Sequence, residues 1–123
     1  GANYFQPTVL LNARNDMPIA QQESFGPVAP LIRVRDADHA VALANDTRAG
    51  LAAYLYGRDL KQLWSVAERL EYGMVGINEG IISNEMAPFG GVKESGLGRE
   101  GSKYGIDEYL ETQYLCLGGM SER

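Results

Sequence analysis

Cysteine, histidine and tryptophan each occur once in this 123-residue sequence. Cys116 therefore has no partner for an internal disulfide and cannot belong to a thiolate metal cluster. A reducing compartment fits that usage. No His/Asp/Glu group has metal-ligand spacing. His39, beside Asp38, has no triad partner in the surrounding sequence and reads as a solvated helix residue. Basic residues are in the minority: 11 Lys and Arg against 16 Asp and Glu, for a net charge of −5. No basic patch is there to offset phosphate repulsion, which argues against a nucleic-acid partner. No apolar run approaches the roughly 20 residues of a membrane span, and no signal peptide is visible. The first residue is glycine rather than methionine, which raises the expectation of a processed or truncated piece.

Glycine is what the chain has in quantity. Nine of its fifteen glycines fall between Gly73 and Gly105. A run like that lets backbone approach a ligand or another backbone where a Cβ would obstruct. Within it, Gly96-Leu-Gly98-Arg-Glu-Gly101 matches the G-x-G-x-x-G dinucleotide fingerprint. That fingerprint needs a buried strand before it, a crossover helix after it and an acidic residue about 20 positions on. Phe89-Gly-Gly-Val-Lys-Glu-Ser95 is a poor buried strand, and residues 102–123 are too few for the return strand and the rest of the sheet. A tight loop with a helix entry is the better reading.

The length suits one domain with its own core. Strand patterns cover Tyr4 to Asn12 (at an edge, given Pro7), Val28 to Val34, Leu51 to Tyr56 as a buried strand, and Met74 to Asn78. A short polar segment, read as helical, spans Met17 to Glu23. Asp36 caps a helix to about Asn45, with Ala40, Val41 and Ala44 on one face. Asp59 caps a second, whose Leu60, Leu63, Trp64, Ala67 and Leu70 recur at helical spacing, with Gly73 at C′. Ser102 to Leu110 reads as a helix and Glu111 to Leu117 as a final strand. Strands alternating with helices predict an α/β fold.

Two segments have the chemistry of binding surfaces, each beside a plainer alternative. Extended backbone from Gln21 to Val28 places Glu23 and Phe25 on the same side. A carboxylate there can accept from both hydroxyls of a ribose diol while the ring packs a flat heterocycle, or the pair is a solvated Glu beside a core Phe. In Ile81 to Phe89, Ser83 either makes a local turn hydrogen bond or donates to an anionic substrate beside a Phe89 wall. Cys116 alternates within the last predicted strand and reads as a packing residue, since no basic neighbour or helix N-terminus is there to activate it. With neither nucleophile nor base, the chain alone is expected to be catalytically inert.

Glu23-Ser-Phe-Gly-Pro-Val28, Asn45-Asp-Thr-Arg-Ala-Gly-Leu-Ala-Ala53 and Pro88-Phe-Gly-Gly-Val-Lys-Glu-Ser-Gly96 closely resemble the C-terminal part of the NAD(P)-dependent aldehyde dehydrogenases. The likeness runs from about Tyr4 to Gly119 with its motifs in order. Gly76-Ile-Asn-Glu-Gly-Ile-Ile-Ser-Asn84 and Gly98 to Leu110 resemble the succinate-semialdehyde-oxidising branch most. The resemblance implies a mostly parallel sheet with flanking helices over residues 1–110, from the C-terminal part of the catalytic domain. It also implies an oligomerisation strand and tail over residues 111–123.

The resemblance also implies roles. Glu23 would hold the nicotinamide ribose and Phe25 would pack near the nicotinamide of NAD or NADP. Ser83 would bind the distal carboxylate of succinate semialdehyde, or of another ω-carboxy aldehyde such as glutarate semialdehyde, and Phe89 would line the aldehyde pocket. Glu111 would open the strand that joins a neighbouring subunit of a homo-oligomer, with Arg99 as its ion-pair partner. The family's nucleophilic cysteine, its glutamate base and most of its Rossmann domain have no counterpart here, so this chain is expected to be the last quarter of the enzyme. Glu23, Ser83 and Phe89 are then expected to face one cavity, closed by polypeptide from elsewhere. The implied setting is the cytoplasm, or the mitochondrial matrix in a eukaryote, in gamma-aminobutyrate breakdown.

Overall fold

The computed structural model describes residues 3–119. It is α/β, built as three separate strand pairs rather than the one mostly parallel sheet expected from the sequence. β1 (Thr8–Leu10) and β2 (Val28–Pro30) run parallel, with Thr8 opposite Val28, and are bridged by the four-residue helix α1 (Pro18–Gln21). Helix α2 (Ala37–Asn45) follows. β3 (Ala49–Gly50) pairs antiparallel with a late strand, β6 (Val92–Lys93). β4 (Ala52–Leu55), helix α3 (Leu60–Ala67) and β5 (Met74–Ile77) form a parallel β-α-β unit, with Tyr54 opposite Gly76.

Both long helices begin where a carboxylate satisfies an orphan backbone donor. Asp36 Oδ1 accepts from His39 N–H at 2.7 Å and Asp59 Oδ1 from Gln62 N–H at 3.1 Å. The C-terminal end of α2 is tied down by side chains. Asn45 accepts from Glu71 N–H and donates to the Arg69 carbonyl, while Lys93 Nζ donates to the Asn45 carbonyl at 2.7 Å. Lys93 also pairs with Glu71 at 2.6 Å. Burial holds the Tyr72 phenol above its ordinary pKa, against the opposing pull of Lys93, and its hydroxyl donates to the Ala44 carbonyl. These bonds join α2 to the chain beyond α3 and to the β3–β6 ribbon.

Four expectations need correction. The strand expected over Leu51 to Tyr56 is half-exposed and divided: Ala49–Gly50 pairs with β6, Leu51 is the switch, and Ala52–Leu55 pairs with β5. Helix α3 covers only part of its apolar stripe. Leu63, Ala67 and Leu70 are half-buried, but Leu60 is 66% and Trp64 59% exposed. Gly73 lies beyond the Glu68 C-cap and is required by space, because a Cβ there would strike the Gly90 carbonyl. The helix expected over Ser102 to Leu110 is a 3₁₀ turn, Gly105–Tyr109. Gly101 (φ 65) and Ser102 (φ 52) are left-handed, so an α-helix cannot start there.

Residues 111–119 belong to no strand and are all exposed. A strand exists only through its ladder, and no described segment pairs with Glu111 to Leu117. Of the expected second segment, residues 120–123 lie outside the described residues.

The core is slight. Ala13 and Val41 are the buried hydrophobic residues among those described. The accessible surface is 10473 Å², against about 6,500 Å² for a self-contained monomer of this mass. Parallel strand pairs are normally covered on both faces, and here they are not.

Candidate functional site

The four residues expected to bind cofactor and substrate all stand on the connections around these strand pairs. Glu23 and Phe25 lie in the link from α1 to β2. That link is held at its end by Val28 N–H to the Gly26 carbonyl at 2.8 Å and by Thr8 N–H to the Pro27 carbonyl at 2.9 Å. The Phe25 ring is 94% exposed and faces an open groove of about 660 Å³ with Tyr4, Phe5 and Pro27. Glu23 is exposed and enters none of the ion pairs among the described residues. A free carboxylate two residues from a free aromatic face fits a ribose diol and a flat heterocycle.

Ser83 lies in the loop after β5 and is exposed. No described residue hydrogen-bonds its hydroxyl. The local turn is made instead by Asn84, whose Oδ1 accepts from Met86 N–H at 2.7 Å. Phe89 is half-buried and fixed by a two-way backbone bridge to Glu100, at 2.9 and 2.7 Å. It lines a groove of about 340 Å³ with Leu51, Leu97, Arg99 and Glu108.

Within the described residues, Glu23, Ser83 and Phe89 do not line one groove; the expected cavity is one that polypeptide from elsewhere would close. Phe25 and Phe89 line different grooves, and neither groove is lined by Glu23 or Ser83. Glu23, Phe25 and Ser83 stand exposed on surface connections, while Phe89 is half-buried against the Leu97–Glu100 segment.

Arg99 has other partners within the chain, and Glu111 is exposed. The Arg99 guanidinium donates to the Gly91 carbonyl at 2.8 Å and the Gly98 carbonyl at 2.6 Å. No ion pair joins it to Glu111 among the described residues. Both acceptors are backbone carbonyls, so the guanidinium staples the Phe89–Gly91 backbone to the following loop.

The G-x-G-x-x-G stretch is not a phosphate cradle. The Glu108 carboxylate packs against the backbone of Gly98, in the space a Cβ there would take. An anion already fills the approach that a pyrophosphate would use, and only a 3₁₀ turn follows Gly101. The remaining candidates are equally committed or isolated. His39 Nδ1 accepts from Arg35 N–H at 3.2 Å, and Cys116 is a free, exposed thiol. No group of three metal-ligating side chains occurs among the described residues.

With the geometry set out, comparison with known proteins identifies the class. The aldehyde dehydrogenase family model matches residues 1–115, so the chain belongs to that family. It is 58% identical over 120 residues to a glutarate-semialdehyde dehydrogenase of Pseudomonas aeruginosa, covering 98% of this chain and 25% of that protein. It is 59% identical over 118 residues to an NADP(+)-named succinate-semialdehyde dehydrogenase of Escherichia coli, covering 96% of this chain and 24% of that protein. The crystal structure of succinate-semialdehyde dehydrogenase from Burkholderia pseudomallei superposes with a TM-score of 0.88 at 62% identity. That match covers 95% of this chain and 24% of the other. The chain thus spans about a quarter of the length of the curated relatives it matches.

Proposed function

We propose that this chain is the C-terminal quarter of an NAD(P)-dependent dehydrogenase that oxidises succinate semialdehyde to succinate. It supplies the substrate-carboxylate contact and one wall of the nicotinamide site. The observation that carries this reading is the 58–59% identity to semialdehyde dehydrogenases over nearly the whole length of the chain. The uncommitted Ser83 hydroxyl is the group in the loop after β5 suited to a carboxylate, because donation to a charged acceptor strengthens the bond. Glutarate semialdehyde has the same distal carboxylate and is the second substrate that the identities support.

Glu23 accepts from the ribose hydroxyls of the cofactor, and Phe25 packs its ring against the nicotinamide side. NAD(P) accepts the hydride when bound. This chain's residues orient it but offer no pyrophosphate cradle, so most of its binding energy comes from other polypeptide. Phe89 forms an apolar wall near the reacting aldehyde. Glu111 to Leu117, which has no partner among the described residues, extends a sheet in a second subunit, where backbone ladder bonds complete the strand. The excess surface and uncovered parallel pairs support burial against both the rest of the subunit and that neighbour.

Ser83→Ala tests the substrate reading in the full-length enzyme. Losing one hydrogen bond to a carboxylate should raise KM for succinate semialdehyde about tenfold while leaving KM for butanal within about twofold. Equal changes for the two aldehydes would remove Ser83 from substrate recognition.

A further inference from the structure

Gly76 sits in the middle of β5, buried and directly opposite Tyr54 of the parallel neighbour β4. A Cβ at that position would lie 2.8 Å from the Glu79 carbonyl oxygen, 2.9 Å from Ile82 Cγ2 and 2.9 Å from Tyr54 Cδ1. All three are closer than side-chain carbons approach. The loop leaving β5 therefore doubles back at once and rests on the strand it has just left, with Ile82 seated on bare backbone beside the Tyr54 ring. A glycine inside a strand commonly marks such a close approach.

Two further contacts fix the fold-back. At the strand exit, Asn78 (φ 55) clasps Gly57 in both directions, Oδ1 accepting from Gly57 N–H at 2.8 Å and Nδ2 donating to its carbonyl at 2.9 Å. One residue later, Glu79 Oε1 accepts from Gly80 N–H at 2.8 Å and Ile81 N–H at 3.1 Å, drawing the turn tight. Ile82 is consequently half-buried while Ser83, the next residue, is exposed with its hydroxyl free.

The geometry points to Gly76 as a specificity-positioning residue. By leaving a seat for Ile82, it sets where the adjoining Ser83 hydroxyl stands relative to the distal carboxylate of the substrate. This rests on the substrate reading above and assigns the loop's aim to a residue that touches no ligand. Adding a methyl at Gly76 lifts Ile82 and Ser83 together, and emptying the seat by truncating Ile82 releases them.

The test is steady-state kinetics of the full-length enzyme carrying Gly76→Ala or Ile82→Ala, with succinate semialdehyde and with uncharged butanal. Displacing one carboxylate contact should raise KM for succinate semialdehyde about tenfold in each variant, with KM and kcat for butanal within about twofold of the parent. Butanal turnover serves as the folding control, and if Gly76→Ala does not fold, Ile82→Ala decides alone. Parallel changes for both aldehydes, or no change for either, overturn the inference. Ser83→Ala run alongside separates the failures. If it is selective and the positioning variants are not, only the role of Gly76 falls. If it is itself unselective, the substrate reading falls and the positioning role goes with it.

Discussion

Purified alone, this 123-residue chain is expected to produce no NADPH from succinate semialdehyde and NADP. Covalent aldehyde oxidation needs an activated thiolate and a base placed within hydrogen-bond reach of the reacting centre. The one cysteine, Cys116, is exposed in a segment that forms no element and has no described partner. The one histidine has its Nδ1 engaged by Arg35 N–H, far along the chain from Ser83 and Phe89. Glu23, Phe25, Ser83 and Phe89 do not line a common groove among the described residues. Without nucleophile, base or enclosed site, the shortfall against a working enzyme should exceed about 10⁶-fold. The decisive measurement is the rate at high chain concentration, with Cys116→Ser as its partner. NADPH formation that scales with the chain and disappears in that variant would show that Cys116 is the nucleophile and that the reading of this chain as a partial site is wrong.

The parts of the fold legible in the sequence are those whose determinants are local. Asp36 and Asp59 announce α2 and α3 because one carboxylate three residues before an N–H suffices to start a helix. β5 is legible as a short apolar run between glycine and asparagine. The β3–β6 ribbon is not, since Ala49–Gly50 and Val92–Lys93 are two residues each and meet only through tertiary contact. Periodicity also finds the whole apolar stripe of α3 but not which half is covered. Leu60 and Trp64 belong to the same stripe as Leu63 and Ala67, and their exposure depends on what packs against the helix. For the site, Ser83 and Phe25 were readable as free chemistry on loops. The Arg99 staple was not, because its acceptors are backbone carbonyls, which every residue possesses.

The glycine-rich stretch, which first suggested nucleotide binding, has a structural use instead. Gly90 and Gly91 carry the backbone of the Phe89 segment between two other pieces of backbone. On one side is Gly73; on the other, a Cβ at Gly90 would lie 2.7 Å from the Gly98 carbonyl oxygen and 2.8 Å from Arg99 Cδ. Glycine is thus spent on bringing three chain segments within backbone contact, which places Phe89 without any regular element to carry it. That arrangement makes the loop sensitive to single methyl groups.

Gly73→Ala should be the most damaging of these substitutions in the full-length enzyme. Its methyl would collide with the Gly90 carbonyl and lie 2.8 Å from Gly91 Cα, both backbone groups that cannot rotate aside. Retreat in the opposite direction is blocked by Gly98 and Arg99. Sideways movement is resisted by Lys93, whose ammonium is bonded to the Asn45 and Thr47 carbonyls and paired with Glu71. Relief therefore requires the Phe89–Lys93 segment to leave its place, breaking the Glu100 bridge and the β3–β6 ribbon together. A loss of more than about 4 kcal/mol in urea-unfolding stability is expected, in the range reserved for steric disruption of a packed interior. If Phe89 forms the aldehyde wall as proposed, any enzyme that still folds should lose at least about 100-fold in kcat, because that wall is displaced. Gly118→Ala, with nothing within 4 Å of the added carbon, is the control and should change stability by no more than about 0.5 kcal/mol. If Gly73→Ala matches Gly118→Ala in both measurements, the three segments are not in backbone contact and the placement of Phe89 has another cause.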